Sequence, residues 1–260
     1  MGEYSRTLER FNHRLSPASI NSYYRCPRKF QMRYIRNIRP PWTFKSALVI
    51  GGIAHKAMAD YFKHRRDGIP FNSLESYADR HLQRERYPEE ESAALRAEHF
   101  PIILGHIERG IDALPEDAEI LHIEKSFNIA LRTPALSENV SIASRIDLVI
   151  SHGDGIHDHI DFKTGQQGGD LIQNFVSRLT VVSGLNLPGD KIRTINILTR
   201  TGTYQIVPSD PELHRSTREI VRNTIDGLAT DISWSPRPDP FVCRWCDFKT
   251  FCDVADLEYD

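Results

Sequence analysis

Two short apolar runs that flank a polar turn form the clearest pattern along the chain. The runs cover residues 145–150 and 159–165, and His-Gly-Asp-Gly at 152–155 lies between them. Apolar runs of this length around a glycine-containing turn predict a β-hairpin or a tight pair of neighbouring strands. Because side chains alternate along a strand, Asp161 and Lys163 share one face, and Asp147 can join them from the adjacent strand.

The other patterns predict helices and further strands around this pair. Ser16 followed by Pro17 indicates the start of a helix, and a second helix begins at Cys26-Pro27. Residues 71–110 are charged and weakly periodic, which favours peripheral helices. The remaining predicted helices cover residues 46–66, 171–185 and 211–229, and the remaining predicted strands cover residues 119–131, 192–198 and 204–207. We therefore expect an α/β fold with a central mixed sheet flanked by helices.

Length and charge bound the organisation of the chain. Its 260 residues suffice for one large α/β domain or two small ones, and we expect one domain with appendages. Residues 15–45 would form N-terminal helices, 46–210 the core, and 211–260 a C-terminal helix with a cysteine triplet. The polar start and the lack of a run of ~18 apolar residues predict a cytoplasmic protein with no membrane partner.

A basic segment near the N-terminus is the candidate surface for an anionic partner. The net charge of the whole chain is only -2, so a polyanion would have to be bound by a local patch. Aromatic residues are interleaved with the cations, as phosphate and base contacts require. A solvated helix face beside an aromatic core stripe is the alternative interpretation. The candidate DNA-binding cations are Arg25, Arg28, Lys29 and Arg33.

The acids and the lysine of the strand pair suggest metal chemistry. Paired carboxylates bind a hard divalent cation, and a nearby lysine can hold water or offset charge on a phosphate. This pattern favours metal-dependent phosphodiester hydrolysis, whereas an isolated D-x-K on a strand is more often a solvated face with a salt bridge. His55 lies one turn after Gly51 on a helix rich in small residues, and it matters only if the acids lie nearby. Glu124 can face the same site or be an ordinary strand acid.

Four cysteines form the sharpest local motif. Cys243, Cys246 and Cys252 follow the spacing C-x2-C-x5-C, and Cys26 lies far upstream. Four thiolates can hold either zinc or an iron–sulfur cluster. Zinc ribbons usually carry two C-x2-C pairs, so a compact triplet with one distant cysteine favours the cluster, although ligand softness permits both. Either metal would connect the N-terminal helices to the C-terminal segment.

In this order the motifs resemble the RecB-like branch of the PD-(D/E)XK nuclease superfamily, which includes AddB nuclease domains and CRISPR adaptation nucleases with an iron–sulfur cluster. The resemblance spans most of the chain. It comprises Leu-Ser-Pro-x-Ser at 15–19, Cys-Pro-Arg-Lys-Phe at 26–30, Gly51 to His55, Arg-Ile-Asp at 145–147, Asp-Phe-Lys-Thr-Gly at 161–165, Gln173 and the cysteine triplet. Two positions depart from the family pattern: Ser144 replaces a glycine, and Ser177 replaces the tyrosine of Gln-x-x-x-Tyr.

The resemblance implies a restriction-endonuclease-like fold and a role for each motif. His55, Asp147, Asp161 and the carbonyl of Phe162 would bind Mg²⁺ or Mn²⁺, with Lys163 assisting the attacking water and Gln173 completing the catalytic set. The four cysteines would hold a 4Fe–4S cluster, with Zn²⁺ as the alternative.

The implied activity is a deoxyribonuclease, an exonuclease on single-stranded DNA or DNA ends, with possible protein partners in a repair, CRISPR-adaptation or phage-defence complex. The alternatives are a catalytically inactive DNA-binding scaffold subunit that keeps the fold, and an enzyme regulated by the redox state of its cluster. Intact Asp147, Asp161 and Lys163 favour the active enzyme.

Overall fold

A six-stranded mixed sheet is the centre of the structure, a computed structural model that describes residues 14–41, 43–131, 140–165, 168, 170–231 and 233–254. Within these residues the six strands are β1 (Arg14–Leu15), β2 (Glu119–Leu131), β3 (Val140–Ser151), β4 (His157–Lys163), β5 (Ile192–Leu198) and β6 (Thr203–Ile206).

Strand β3 connects the two halves of the sheet. It pairs with β2 in antiparallel register along nearly its whole length. On its other edge, Ser141 and Ile142 pair with β1 in parallel, and residues 148–151 pair with β4 in antiparallel register. Strand β5 then pairs with β4 in parallel and with β6 in antiparallel register. The predicted strand pair and the mixed sheet are therefore confirmed.

Eight helices in the described residues surround the sheet. They are α1 (Pro17–Arg25), α2 (Pro27–Phe30), α3 (Ser46–Asp67), α4 (Leu74–Arg84), α5 (Ser92–Asp112), α6 (Leu171–Leu185), α7 (Pro211–Thr230) and α8 (Pro240–Arg244). Local sequence sets several helix starts: the Ser16 side chain caps α1, and the Asp170 side chain caps α6. None of these helices combines the length and the apolar character that crossing a membrane requires.

The two faces of the sheet pack against different helices. Ile160 and Phe162 of β4 lie in a core shared with α3, α4 and α5, where the Phe162 ring stacks on Phe62 with 5.9 Å between centroids. On the opposite face, Val149 of β3 packs with Val181 of α6. Residues of β4 that alternate with Ile160 and Phe162 consequently face α6, as the predicted strand periodicity requires.

The two ends of the chain pack against each other and against β3. The ring of Trp234 stacks on Phe30 with 6.0 Å between centroids, and the Tyr23 hydroxyl donates to the Asp231 carboxylate at 2.9 Å. Ile225 of α7 lies in the same buried cluster as Val140 of β3. The predicted N-terminal, central and C-terminal segments thus share buried contacts, which brings Cys26 towards the cysteine triplet.

Candidate functional site

Three acidic residues lie side by side across three neighbouring strands. Leu148 of β3 pairs with Ile160 of β4, which places Asp147 opposite Asp161. On the other edge of β3, residues 123 and 125 pair with residues 148 and 146, so Glu124 lies opposite Asp147. Glu124 has a left-handed backbone with φ of 50°, an uncommon conformation for a residue with a side chain. The sheet register therefore gathers three carboxylates.

Asp147 contacts both the neighbouring strand β4 and the helix α3. Its Oδ2 accepts a hydrogen bond from the backbone amide of Phe162 at 2.9 Å and lies 3.3 Å from Nδ1 of His55. Burial by itself would raise the pKa of Asp147, but the hydrogen bond and charge of His55 hold that pKa below its ordinary value. Burial lowers the pKa of His55, yet the hydrogen bond and charge of Asp147 raise it overall. Each side chain thus favours the charged form of the other.

Asp161 lies between a cation and an amide. Its Oδ2 lies 2.6 Å from Nζ of Lys163 and accepts a hydrogen bond from Nε2 of Gln173 at 3.3 Å. Burial raises the pKa of Asp161 to about 6; the positive charge of Lys163 opposes this shift, and the negative charge of Asp147 adds to it. Gln173 comes from the first turn of α6, and its side chain reaches back over the end of β4.

A glycine allows α3 to bring His55 to the strands. A Cβ atom at Gly51 would lie 2.7 Å from Oγ1 of Thr164, which follows β4, so a larger residue would push the helix away. By contrast, a Cβ at the neighbouring Gly52 meets no atom within 4 Å. The close approach at Gly51, one turn before His55, explains the glycine-to-histidine spacing in physical terms.

An open cleft of about 560 Å³ is lined by His55, Asp147, Asp161, Lys163 and Gln173. His159 also lines the cleft, and burial lowers its pKa to about 4, so it is neutral at pH 7. The hydroxyls of Ser144 and Ser177 are 2.9 Å apart on the cleft wall, where both side chains are buried. The two departures from the family pattern are therefore in direct contact.

The structure brings together most of the predicted cation ligands and adds Glu124. Within the described residues, potential ligand atoms of His55, Glu124 and Asp147 lie within 4.8 Å of one another. Asp161 lines the same cleft, and the Phe162 backbone contacts Asp147. Burial and the charge of Asp147 raise the pKa of Glu124, while its carboxylate also lies 2.9 Å from Nε of Arg145. Strand pairing is the signal that identifies Glu124, since the sequence alone leaves the register open.

The four cysteines line a second, small cavity of about 20 Å³. Cys26 precedes α2, Cys243 belongs to α8, and the other two follow α8. Burial raises the pKa of Cys246, and the nearby thiols of Cys26 and Cys243 add to this shift. The thiols are not clustered closely enough for three sulfurs to lie within 4.8 Å of one another.

The basic patch divides between two surfaces. Arg25, Lys29 and Arg33 line a groove of about 410 Å³ that shares Pro17, Ala18 and Gln173 with the cleft. Arg28 instead lines the cysteine cavity and donates to the carbonyl of Trp234 at 3.0 Å. Three of the four predicted DNA-binding cations are therefore contiguous with the carboxylate cleft, and the fourth contacts the C-terminal segment.

Comparison with protein families gives one match, described as the PD-(D/E)XK nuclease superfamily, over residues 14–253. No curated protein matches the chain. One similar solved structure is described as "Crystal structure of SSO0001"; it shares 13% sequence identity at a TM-score of 0.42, and the match covers 98% of this chain and 95% of that one. A similarity of that size carries no argument about the fold or the site.

Proposed function

The chain belongs to the PD-(D/E)XK nuclease superfamily, and from that membership we propose that it is a Mg²⁺- or Mn²⁺-dependent deoxyribonuclease of the RecB-like branch. The observation that carries the proposal is the contiguous set of Asp147, Asp161 and Lys163 on paired strands, with His55 at 3.3 Å from Asp147. A fold retained only for binding would not need this arrangement.

The residues of the cleft fit a hard divalent cation. Carboxylate oxygens and an imidazole nitrogen are suitable donors, and the atoms of His55, Glu124 and Asp147 already lie within 4.8 Å of one another. We assign His55, Asp147, Asp161 and the Phe162 carbonyl as ligands, and we add Glu124. Bound there, the cation would polarise the scissile phosphate and lower the pKa of a bound water.

Lys163 and Gln173 would orient the reacting groups. The 2.6 Å contact with Asp161 fixes the Lys163 ammonium beside the cleft, where it can donate to a water or to a phosphate oxygen. In hydrolysis the water oxygen bonds to phosphorus while the bond from phosphorus to the leaving strand oxygen breaks, and that oxygen takes up a proton. Gln173 holds Asp161 from α6 and fixes the direction of its carboxylate.

We propose that the cysteine cavity holds a 4Fe–4S cluster. Two sulfurs bound to one zinc at 2.3 Å can be no more than about 4.6 Å apart, whereas no three of these thiols lie within 4.8 Å of one another. What supports the cluster is the donor set, four thiols that line one cavity. It would connect Cys26 at the start of α2 to Cys243, Cys246 and Cys252 near the C-terminus.

For the substrate, we propose single-stranded DNA or DNA ends, cut by exonucleolytic hydrolysis in the cytoplasm. The groove lined by Arg25, Lys29 and Arg33 supports this assignment because it continues from the cleft. DNA repair, CRISPR adaptation or phage defence, with protein partners of such a complex, is the proposed context.

The test is anaerobic purification followed by incubation with end-labelled single-stranded and double-stranded DNA, with and without Mn²⁺. We expect Mn²⁺-dependent cleavage, faster on the single strand, by a brown protein that contains iron. Lys163→Ala should be inactive and still bind DNA. Equal cleavage by Lys163→Ala would refute the active-site assignment, and DNA binding without any cleavage would identify a scaffold subunit. A colourless protein that contains zinc would refute the cluster.

A further inference from the structure

We propose that Phe241 and Trp245 form a base-stacking platform for single-stranded DNA, at the far end of the groove lined by Arg25, Lys29 and Arg33. This inference rests on the proposed nuclease function, because it specifies how the substrate would reach the carboxylate cleft. It assigns a binding role to two aromatic residues that lie outside the metal site and outside the cysteine set.

Both aromatic side chains are exposed where a soluble domain would ordinarily bury them. Phe241 is 83% exposed and Trp245 is 74% exposed, although both line the groove. Their spacing of four residues, from α8 to the residue that ends it, places them on one side of the segment. Between them, Cys243 lines the cysteine cavity, and Val242 lines both the cavity and the groove. The segment thus presents an aromatic surface to the groove and attaches to the protein through its other side.

The segment is held against the N-terminal helices by specific contacts. The Asp239 carboxylate caps α8 by accepting the amide of Val242 at 2.8 Å. Nη1 of Arg237 donates to the carbonyl of Tyr24 at 2.6 Å, which fastens the start of the segment to α1. The backbone that carries the two rings is therefore held beside the cations of α1 and α2, so binding would not have to order this segment.

Charge identifies the occupant of the groove as a polyanion. Arg25, Lys29 and Arg33 line it, and no acidic side chain of the described residues does. Arg25 is paired with Asp170 at 2.9 Å from outside the groove, so Lys29 and Arg33 contribute most of its positive charge. Arg244 adds a fourth cation, with its guanidinium carbon 5.2 Å from the centroid of the Trp245 ring. An apolar peptide would gain nothing from four cations. Alternating cations and exposed rings match a strand whose phosphates and bases are both accessible.

Continuity with the cleft distinguishes a single strand from a duplex. The groove and the carboxylate cleft share Pro17, Ala18 and Gln173, so a chain bound to one passes directly into the other. The faces of duplex bases are stacked on one another and cannot stack on protein rings. The aromatic end of the path therefore fits only a strand with unpaired bases.

The test measures binding of an end-labelled oligo-dT of about 15 nucleotides by fluorescence anisotropy, in buffer without added divalent metal. Phe241→Ala and Trp245→Ala should each weaken binding about tenfold. Phe241→Tyr and Trp245→Phe keep an aromatic ring and should bind with nearly the wild-type affinity. Tyr204→Ala is the matched control, because Tyr204 is an exposed aromatic residue on β6 outside the groove. Duplex binding should not respond to the two aromatic substitutions.

A second measurement observes the stacking itself. Oligo-dT should quench the fluorescence of exposed Trp245, and the Trp245→Phe protein should lose that quenching while it still binds. For the cations, Lys29→Ala and Arg33→Ala should each reduce the slope of log affinity against log salt by about 0.7, which is the effect of losing one phosphate contact on a single strand.

The outcomes separate this inference from the proposed function. Unchanged oligo-dT affinity in both alanine variants, an equal loss of duplex binding, or tighter binding of an RNA oligonucleotide would overturn the platform, even if Mn²⁺-dependent cleavage is observed. Absence of cleavage together with aromatic-dependent binding of oligo-dT would refute the nuclease and leave the platform standing. Failure of the wild-type protein to bind oligo-dT would overturn the platform directly.

Discussion

The carboxylate cleft and the cysteine cavity are two candidate metal sites built on very different supports. Glu124, Asp147 and Asp161 project from three paired strands, and a 22-residue helix delivers His55. Cys26 and Cys243, in contrast, belong to connections and short helices: α2 has four residues and α8 has five. Helices this short do not persist by themselves in water.

The difference shows which site depends on its metal for its shape. The ligands of the cleft are already held by protein contacts, such as the Phe162 amide on Asp147 and the Lys163 ammonium on Asp161. The cysteines lie on connections and very short helices, so a bound cluster would itself hold these segments together. We expect cleft substitutions to change catalysis and cysteine substitutions to change stability.

The largest expected effect is the loss of cleavage after a change in the cleft. Asp161→Asn and Asp147→Asn should each reduce the cleavage rate by at least about 10³-fold, because each removes a charged ligand that catalysis requires. The melting temperature should stay close to that of the wild-type protein, as measured by circular dichroism. A melting temperature reduced as strongly as the rate would show that the cleft also maintains the fold.

The cysteine cavity should behave in the opposite way. Cys243→Ser should lower the melting temperature by about 6 to 12 °C, the shift produced by a loss of about 3 kcal/mol in a chain of this size. Iron content and visible absorbance should fall in parallel. Thr250→Ala, an exposed substitution between the same ligands, is the control and should change neither quantity. Unchanged stability in Cys243→Ser despite loss of iron would assign the cluster a role other than holding the fold.

The close packing of α3 against the strand end provides a third test. Gly51→Ala would place a Cβ 2.7 Å from Oγ1 of Thr164. We expect a stability loss of about 1 to 3 kcal/mol from overpacking and a cleavage rate lower by up to about 10²-fold, because His55 moves with the helix. Urea unfolding and initial cleavage rates measure the two effects.

Two further variants isolate the cause of that loss. Thr164→Ala added to Gly51→Ala removes the oxygen that the new methyl meets and should restore much of the stability. Gly52→Ala introduces a methyl group that meets nothing within 4 Å, so it should be tolerated. Helix propensity favours both Gly→Ala changes, so equal harm from Gly52→Ala would show that the contact with Thr164 is not the cause of the loss.

Cation binding should depend on pH through Asp161. Burial raises the pKa of Asp161 to about 6, so below that pH a cation must displace a proton to bind. Because the pKa of the ligand His55 is also raised, the affinity for Mn²⁺, measured by titration calorimetry, should already fall as the pH drops towards 6. Below pH 6 it should fall by about a further tenfold per pH unit as Asp161 takes up its proton. Asp161→Asn should bind Mn²⁺ more weakly and lose this step. A step of equal size in the variant would assign it to another group.

Local signals in the sequence predicted the elements, whereas pairing between elements was only partly predictable. The serine and proline that start α1 and the apolar runs of β3 and β4 depend on neighbours along the chain, and those elements are observed. The position of Glu124 depends on the register between β2 and β3, which no short segment encodes. Three-dimensional contact was likewise needed to separate Arg28 from the other three cations.

The smallest predicted effect concerns Ser144 and Ser177, the two residues that depart from the family pattern. Their hydroxyls are 2.9 Å apart and both side chains are buried, so one departure compensates for the other within the cleft wall. Either alanine variant should lose about 1 to 2 kcal/mol of unfolding free energy, because the remaining buried serine hydroxyl loses its hydrogen bond to the other serine. Ser144→Ala combined with Ser177→Ala should lose less than the sum of the two single losses. A double-mutant cycle by urea unfolding measures this coupling; strictly additive losses would show that the hydroxyls act separately and that the two departures are unrelated.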